Sequence, residues 1–290
     1  MFRAEWQKIT GNRLIAALFV WIFPLAVTMI SALILFVALF SADLREGIRI
    51  SGVYKWDEAL LIPWMVVNNE LGRFVVVAFM GFVFAGEYQH GTWKNLVLYR
   101  SRIQLILTKF FTVVLMVTFA WVLMSVIHML FQGILAVWFG LDFGSFDQAI
   151  VERFIKYYSL EVFTTVATTF IAAGYAAAAA ILVKNLMTSV FIGIVLNLAE
   201  TGTLLFAFII DGILNINIFG LYQFTPSYNI INIRQWVASG EGYTLQLGDM
   251  NAPIVLNAFS MPISLIIAGM WFAALIGFAV WRFHRQDITT

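Results

Sequence analysis

Four polar residues interrupt apolar segments of this sequence and are the first candidates for chemistry. Glu70 and Arg73 lie three residues apart in one segment, and Asn197 and Glu200 lie three residues apart in another. A spacing of three places two side chains on one face of a helix, so Glu70 and Arg73 are close enough to neutralise each other. Such groups either line a water-filled path or form a buried structural pair, and both interpretations stay open.

The residue types give no catalytic or metal centre. The sequence has no Cys and three widely separated His, so it offers neither thiolate ligands nor a clustered set of imidazoles. The glycine-rich P-loop motif that binds ATP phosphates does not occur either. We therefore expect this chain to be no enzyme, to hold no metal and to carry no cofactor of its own.

The segment 86–109 has the most structured polar pattern. Gly91 breaks the chain, and Thr92 stands where the N-cap of a short helix is expected. Ser101 and Gln104 then have capping-box spacing and begin the next helix. The short helix places three apolar side chains on one face: Trp93, Leu96 and Val97. Because so short a helix is not stable alone, it lies either on the membrane surface or in a groove of another protein.

The elements that carry these residues belong to a membrane protein. Residues of the AVILMFWYC set make up 62% of the chain and charged residues 11%, against about 45–50% and about 25% in a soluble domain. A water-facing surface cannot be built from this composition. The net charge of +1 also gives no attraction for nucleic acid. The composition excludes a soluble enzyme and a disordered chain, and it predicts a multi-pass protein in contact with lipid.

Six apolar segments are long enough to cross a bilayer, which takes about 20 helical residues. They are residues 14–40, 60–84, 110–137, 157–183, 186–210 and 261–281. Helices are expected because the segments are continuous, whereas barrel strands alternate. With the N-terminus inside, ten Lys and Arg residues lie on the inner side and six on the outer side. The predicted fold is all-α, one membrane domain over residues 1–290 with both termini in the cytoplasm.

Two further segments lie outside these spans. Residues 1–13 are predicted to form an interfacial helix, although a frayed charged tail stays open. Its apolar and charged faces are Phe2, Trp6 and Ile9 towards lipid, and Arg3, Glu5 and Lys8 towards water. Residues 211–260, on the outer side, are too many for an ordinary connection. Within them, residues 229–239 are expected to form a short amphipathic helix.

The order of these features resembles the ABC type-2 permeases, the six-helix membrane subunits of ATP-driven exporters. The inner loop of that family has a Glu, a Gly-Thr, a short helix, a Ser-Arg and a Lys. This sequence is similar at Glu87, Gly91-Thr92, Ser101-Arg102 and Lys109. Its final segment, Phe283-His-Arg285-Gln-Asp287, is similar to the family's exit from the last span. A Pro that is common before the Ser-Arg pair is replaced by Tyr99-Arg100.

The resemblance implies a permease in the inner, cytoplasmic membrane that forms a translocation path as a dimer, with a second copy or a relative. A separate ABC ATPase subunit would hold ATP and Mg²⁺ and would dock at residues 86–109. Glu87 and Arg102 would then make charge-assisted contacts and the apolar face of the short helix would make the rest. Residues 224–226 and the helix of Trp236 would close the path from outside. The path itself would be lined by Glu70, Arg73, Asn197 and Glu200, and the substrate would be amphipathic: a peptide, antibiotic, lipid or glycan.

Two other classes of function stay open at this point. An ion-coupled secondary transporter would use Glu70, Glu200 and His128 and would work without an ATPase. Such transporters usually contain inverted repeats of broken helices, which this sequence does not display. An intramembrane enzyme would need a convergent catalytic group, and no single segment provides one.

Overall fold

The computed structural model describes residues 2–68, 70–247 and 254–287, and these are predominantly helical. The elements include a short π-helical stretch, Ala17–Trp21, and a 3₁₀ helix, Phe219–Phe224. The other elements in chain order are α1 Phe2–Gly11, α2 Arg13–Ala16, α3 Ile22–Phe40, α4 Ala42–Ser51, α5 Trp56–Val67, α6 Glu70–Gln89, α7 Trp93–Tyr99, α8 Arg102–Phe139, α9 Gln148–Val183, α10 Leu186–Leu214, α11 Pro226–Ser239, β1 Leu245–Leu247, β2 Ile254–Leu256 and α12 Met261–His284.

Five of the described helices, α3, α8, α9, α10 and α12, are long and apolar enough to cross a membrane. α8 has 38 residues and α9 has 36. At about 1.5 Å per residue they measure about 57 Å and about 54 Å, more than the roughly 30 Å of a hydrocarbon core. Both begin before their predicted spans and therefore either extend out of the core or tilt within it.

The second predicted span, 60–84, is divided between two helices, where the polar residues 68–70 interrupt its apolar sequence. α5 begins earlier, at Trp56, and its C-cap is Asn68; α6 begins at Glu70. The side chain of Asn68 donates to Glu161 Oε2 at 3.2 Å and accepts from Thr165 Oγ1 at 3.1 Å. These two residues of α9 supply partners at the break, because polar groups at a helix end in a membrane need partners within the protein.

The segment 211–260, predicted to lie on the outer side, contains more structure than the sequence predicts. The expected helix at 229–239 is confirmed as α11, but it begins three residues earlier, at Pro226. The hydroxyl of Thr225 accepts from the amide of Tyr228 and caps the helix, and Pro226 occupies the first turn, where its missing N–H costs nothing. β1 and β2 form a short antiparallel pair, which the sequence does not predict, in a chain whose described residues are predominantly helical. Strands of three residues are too short to show an alternating pattern.

The N-terminal segment is helical, as predicted, with one correction. In α1 the side chains of Glu5 and Ile9 are buried, although Glu5 was expected to face water. The two residues are four apart and so share a face of the helix. Because Ile9 packs against the protein, Glu5 on the same face is buried as well.

The chain folds into two compact units. The first comprises Met1–Gly72 and Val114–Thr165. In it Trp56 donates from Nε1 to the carbonyl of Ser145 at 2.9 Å and stacks on Phe146, with ring centroids 4.8 Å apart. An ion pair of Asp57 with Arg153, 3.1 Å, lies beside it. This aromatic and charged cluster holds the start of α5 against the connection between α8 and α9.

The second unit comprises Arg73–Val113 and Val166–Thr290. Its centre is the alanine-rich part of α9, and 72% of the most apolar stretch of that helix is buried, against 17% for α12. A Cβ at Gly193 would stand 2.7 Å from Val77 Cγ1 and 3.2 Å from the Cα of Ala176. A Cβ at Gly174 would stand 2.8 Å from Leu275 Cδ1. The small residues of α9 and α10 therefore pack within the chain at close range.

Candidate functional site

The inner loop is closed by a buried ion pair between Glu87, near the end of α6, and Lys109 in α8. Lys109 Nζ lies 2.5 Å from Glu87 Oε1, and both side chains are almost completely buried. The hydroxyl of Thr92 donates to the other carboxylate oxygen, and the backbone amide of Thr92 donates to the carbonyl of Glu87 at 3.0 Å. Gly91 between them has a positive φ of 62°, which favours glycine. One carboxylate thus joins α6, the turn and α8.

Trp93, the first residue of α7, packs inside this closed loop and is only 1% exposed. Its ring centroid lies 4.5 Å from that of Phe283 in α12 and 6.1 Å from that of Phe84 in α6. Lys109 Nζ lies 5.3 Å from the same ring centroid, within range of a cation–π interaction. Trp93 therefore anchors the short helix to three neighbouring helices.

Arg102, at the start of α8, binds the end of the last helix. Its Nη1 donates to the carbonyl oxygens of Phe283, His284 and Gln286 at 2.7, 2.8 and 3.0 Å. Terminal carbonyls of a helix have no partners within the helix and attract cations. The inner loop and the exit segment, which match the family motifs separately, are therefore bound to each other.

Gln286 and Tyr88 complete this contact, although the sequence pattern does not single them out. The Tyr88 hydroxyl donates to Gln286 Oε1 at 2.6 Å, and Gln286 Nε2 donates to the carbonyl of Ile181 at the end of α9 at 2.6 Å. Burial raises the pKa of Tyr88 well above its ordinary value, and the hydrogen bond to Gln286 offsets part of that rise. Tyr88 therefore stays neutral. In the sequence, Gln286 could have been identified only from its position within the final segment Phe283–Asp287, which is similar to the family's exit from the last span.

The structure corrects the expectation that all the predicted loop residues face a partner. Glu87, Lys109 and Trp93 are buried within the chain, and Leu96 and Val97 are half-buried. Thr92 lies at the N-cap, but its hydroxyl bonds Glu87 rather than the backbone of α7. The fully exposed apolar side chains of α7 are instead the next two, Leu98 at 76% and Tyr99 at 81%. The reason is that Trp93 packs on Phe283 of α12. This contact buries the apolar face of α7 that the sequence pattern leaves available to a partner.

An open recess of about 190 Å³ lies beside the buried pair. Two lysines, Lys94 and Lys184, line it together with Tyr88, Trp93 and Asp287. Lys184 lies 5.8 Å from the Tyr88 ring centroid. The recess is large enough for one side chain of a partner protein.

A second polar cluster joins α6, α10 and the start of α11. Arg73 Nη1 lies 3.7 Å from Glu200 Oε2 and donates to Ser227 Oγ at 2.6 Å. The amide of Ser227 donates to Glu200 Oε2 at 3.0 Å, and the Ser227 hydroxyl donates to the same oxygen. Tyr175 of α9 faces this carboxylate. The carboxylate stands at the N-terminus of α11, where the helix dipole stabilises negative charge.

The predicted path residues are partly brought together here. Arg73 and Glu200 meet, and Asn197, one turn away on α10, is also fully buried. The side chain of Glu70 lies outside the described residues, so its pairing with Arg73 stays a prediction. Ser227 was missed, although the Thr225-Pro226 sequence before it indicates a helix start. His128 belongs to the first compact unit, whereas Arg73 and Glu200 belong to the second.

Two atoms of this cluster are unsatisfied within the part of the chain that the structure describes. They are Arg73 Nε and Glu200 Oε1, both buried. Buried polar atoms are normally hydrogen-bonded, so such atoms call for water or a bound group. No group of three or more His, Asp or Glu that could hold a metal ion occurs among the described residues.

Comparison with known proteins gives one match. Residues 1–200 match the family model described as ABC-2 family transporter protein. The matched range includes the whole inner loop and both Arg73 and Glu200. No curated protein and no solved structure matches the chain.

Proposed function

Because the chain belongs to the ABC-2 transporter family and is a membrane permease, we propose that it forms the translocation path of an ATP-driven exporter. Two copies, or this chain and a relative, form the path. A separate ABC ATPase subunit binds ATP and Mg²⁺, and this chain needs no cofactor. It sits in the inner, cytoplasmic membrane as one domain of six spans, with α5 and α6 together as the second and both termini inside.

The proposed coupling element is the inner loop, and the support is its rigid connection to four helices. The pair of Glu87 with Lys109 joins α6 to α8, and Trp93 joins α7 to α12. Gln286 ties the end of α9 to the same group. A push on α7 is therefore passed to α6, α8, α9 and α12 as a rigid-body movement. These buried residues transmit force, while exposed residues make the contact.

The proposed contact surface for the ATPase is the exposed end of α7, Leu98 and Tyr99, with the recess lined by Lys94 and Lys184. Exposed aromatic and apolar groups are typical of the centre of an interface. Arg102 is occupied by the carbonyls at the end of α12, so we assign it a positioning role.

The proposed path residues are Arg73, Asn197 and Glu200, with Glu70. The two unsatisfied buried atoms, Arg73 Nε and Glu200 Oε1, support this because they can bind polar groups of a substrate or water. The apolar surroundings suit an amphipathic substrate: a peptide, an antibiotic, a lipid or a glycan. α11, tied to the cluster at Ser227, is the proposed outer closure.

The test of coupling is copurification of the ATPase with the chain expressed beside its native neighbours. Tyr99→Asp with Leu98→Asp should leave membrane insertion unchanged and remove the ATPase from the purified complex. Tyr54→Asp, a matched change at an exposed tyrosine before α5, should retain it. Normal copurification and transport in the Leu98/Tyr99 variant would reject this contact surface. Substrate transport in vesicles without any ATPase would replace the exporter with an ion-coupled transporter.

A further inference from the structure

A row of polar side chains follows one face of α8 in the first compact unit and has no part in the proposed transport mechanism. Its members are Thr118, Trp121, Ser125, His128 and Gln132. Their spacing alternates between three and four residues, which keeps them on one face of a helix. At about 1.5 Å per residue the row is about 21 Å long. We name it the α8 polar stripe.

Three atoms of the α8 polar stripe are buried and have no hydrogen-bond partner among the described residues. They are Thr118 Oγ1, Trp121 Nε1 and His128 Nε2. Trp121 is completely buried and stacks on Phe23 of α3, with ring centroids 4.4 Å apart. Because the rings are stacked, the indole N–H, which lies in the ring plane, does not point at Phe23. Lipid tails offer no hydrogen-bonding groups, so these atoms need partners inside the protein.

Ser125 shows which helix the α8 polar stripe faces. Its hydroxyl donates to the carbonyl of Leu60 in α5 at 2.5 Å. The amide of Trp56, at the start of α5, donates to the carbonyl of Phe143 beyond the end of α8, so the two helices are antiparallel. Trp64, one turn after Leu60, is completely buried, and its Nε1 also lacks a partner in the part of the chain that the structure describes. Both helices thus carry unsatisfied polar atoms near this contact.

The chemistry of the unsatisfied atoms selects a small neutral ligand. No Asp, Glu, Lys or Arg occurs between residues 110 and 139, so this part of α8 offers no fixed charge to an ion. An indole N–H only donates, a hydroxyl donates and accepts, and a neutral imidazole nitrogen does one or the other. Water does both, and it is the ligand that buried polar atoms of this kind normally bind.

The spacing of the atoms requires more than one water molecule. Thr118 and Trp121 are one turn apart, so one water can bond to both side chains. His128 lies a further seven residues, about 10.5 Å, along the helix, and the direct bond of Ser125 to α5 lies between. His128 therefore needs a water site of its own.

We propose that the α8 polar stripe binds ordered water at two sites, one shared by Thr118 and Trp121 and one at His128. The first unit then has a hydrated interior at the depth of the hydrocarbon core. Ser125 supplies the direct bond between α8 and α5, and water completes the hydrogen bonding of the other stripe residues.

Hydroxyl radicals made from water by a short X-ray pulse test this proposal, because they oxidise the side chains beside the water that produced them. The full chain is irradiated in detergent micelles, and the oxidised residues are identified by mass spectrometry. Trp121 and His128 should be oxidised, although the Trp121 side chain is completely buried. Met116, on the opposite side of α8 and 1% exposed, has a readily oxidised sulfur and should stay intact. Tyr99, 81% exposed, reports oxidation by bulk water.

Thr118→Val removes a hydroxyl and keeps the shape of the side chain. It should lower the oxidation of Trp121 by about fivefold, the effect of one lost hydrogen bond on the water, and should leave that of His128 unchanged. Thr112→Val is the matched control on the same helix. The Thr112 hydroxyl already donates to the carbonyl of Thr108 at 2.8 Å, so its loss should leave both signals unchanged.

Two results would overturn the proposal. Oxidation of Trp121 and His128 no faster than that of Met116 would mean that the stripe is dry. Equal oxidation of Trp121 in the parent protein and in Thr118→Val would mean that the stripe residues do not hold the water.

Discussion

At the scale of single residues, the inner loop depends on charges that are removed from water. Glu87 and Lys109 are both buried, and their side chains form an ion pair at 2.5 Å. Removing one partner of such a pair leaves an uncompensated buried charge, which costs far more than the pair contributes. The pair therefore specifies the loop conformation.

We expect Lys109→Met to destabilise the protein by about 3–5 kcal/mol, measured as a lower melting temperature in detergent. Glu87→Gln combined with Lys109→Met should recover most of the loss, because neither charge then remains. Arg100→Met removes an exposed charge of the same loop and should change little. If Lys109→Met were as stable as Arg100→Met, the buried pair would have no structural role.

Tyr88 gives a prediction at alkaline pH. Burial raises its pKa in the folded protein above 10, the ordinary value of the unfolded chain. Its contribution to stability is therefore complete below about pH 10 and is lost as the pH rises from there towards the folded pKa. Tyr88→Phe lacks the bond to Gln286 and should be less stable at pH 8, but the difference should shrink above about pH 10. Thermal unfolding of both proteins across that range decides it, and a constant difference would contradict the assignment.

At the scale of elements, α11 is held at both its start and its middle. Ser227 binds Arg73 and Glu200 at the N-terminus. Asn232 donates to the carbonyl of Phe259 at 2.8 Å and accepts from the amide of Tyr243 at 2.6 Å. These bonds tie the outer segment together, and Ser227 also bonds it to α6 and α10.

Ser227→Ala should loosen α11 without unfolding it, because the backbone amide of residue 227 still donates to Glu200. Hydrogen bonds to charged groups contribute about 1.5–3 kcal/mol, so amide exchange in α11 should become at least about tenfold faster. Ser239→Ala, at the exposed far end of the helix, is the control and should leave exchange unchanged. Unaltered exchange in Ser227→Ala would mean that the cluster does not hold the outer closure.

At the scale of the whole molecule, the membrane class and the family are established, while the six-span topology is a proposal. Five described helices qualify as spans, and the sixth crossing depends on α5 and α6 acting together. Tyr99 and Ser239 are both exposed, and α8, α9 and α10 lie between them in the chain. Three crossings place these two residues on opposite sides.

Single cysteines at the two positions test this arrangement with an impermeant maleimide. Tyr99→Cys should react only from the cytoplasmic side and Ser239→Cys only from the outside, since the chain has no other thiol. Reversed labelling would overturn the orientation, and labelling of both from one side would overturn the number of crossings.

The sequence alone determined the membrane class, the helical fold and the positions of most helices. These follow from composition and local hydrogen bonding. A chain with 62% hydrophobic residues cannot form a water-facing surface, and the backbone N–H and C=O groups in a bilayer must hydrogen-bond to each other. It also located the inner loop and its breaks, because Gly91 and Ser101 act on their immediate neighbours. The polar residues 68–70 interrupt the second predicted span in the sequence, and α5 ends there, whereas strands of three residues gave too weak a local signal.

Only the tertiary structure decided which partners the polar residues have. Lys109 reaches Glu87 across 22 residues and Arg73 reaches Ser227 across 154, and no local pattern specifies such pairs. Trp93 shows the same dependence: helical spacing places it on an apolar face, but contact with Phe283 makes that face internal. A buried charge or aromatic ring takes whichever partner the packing of the helices brings near, and that packing is a property of the whole chain.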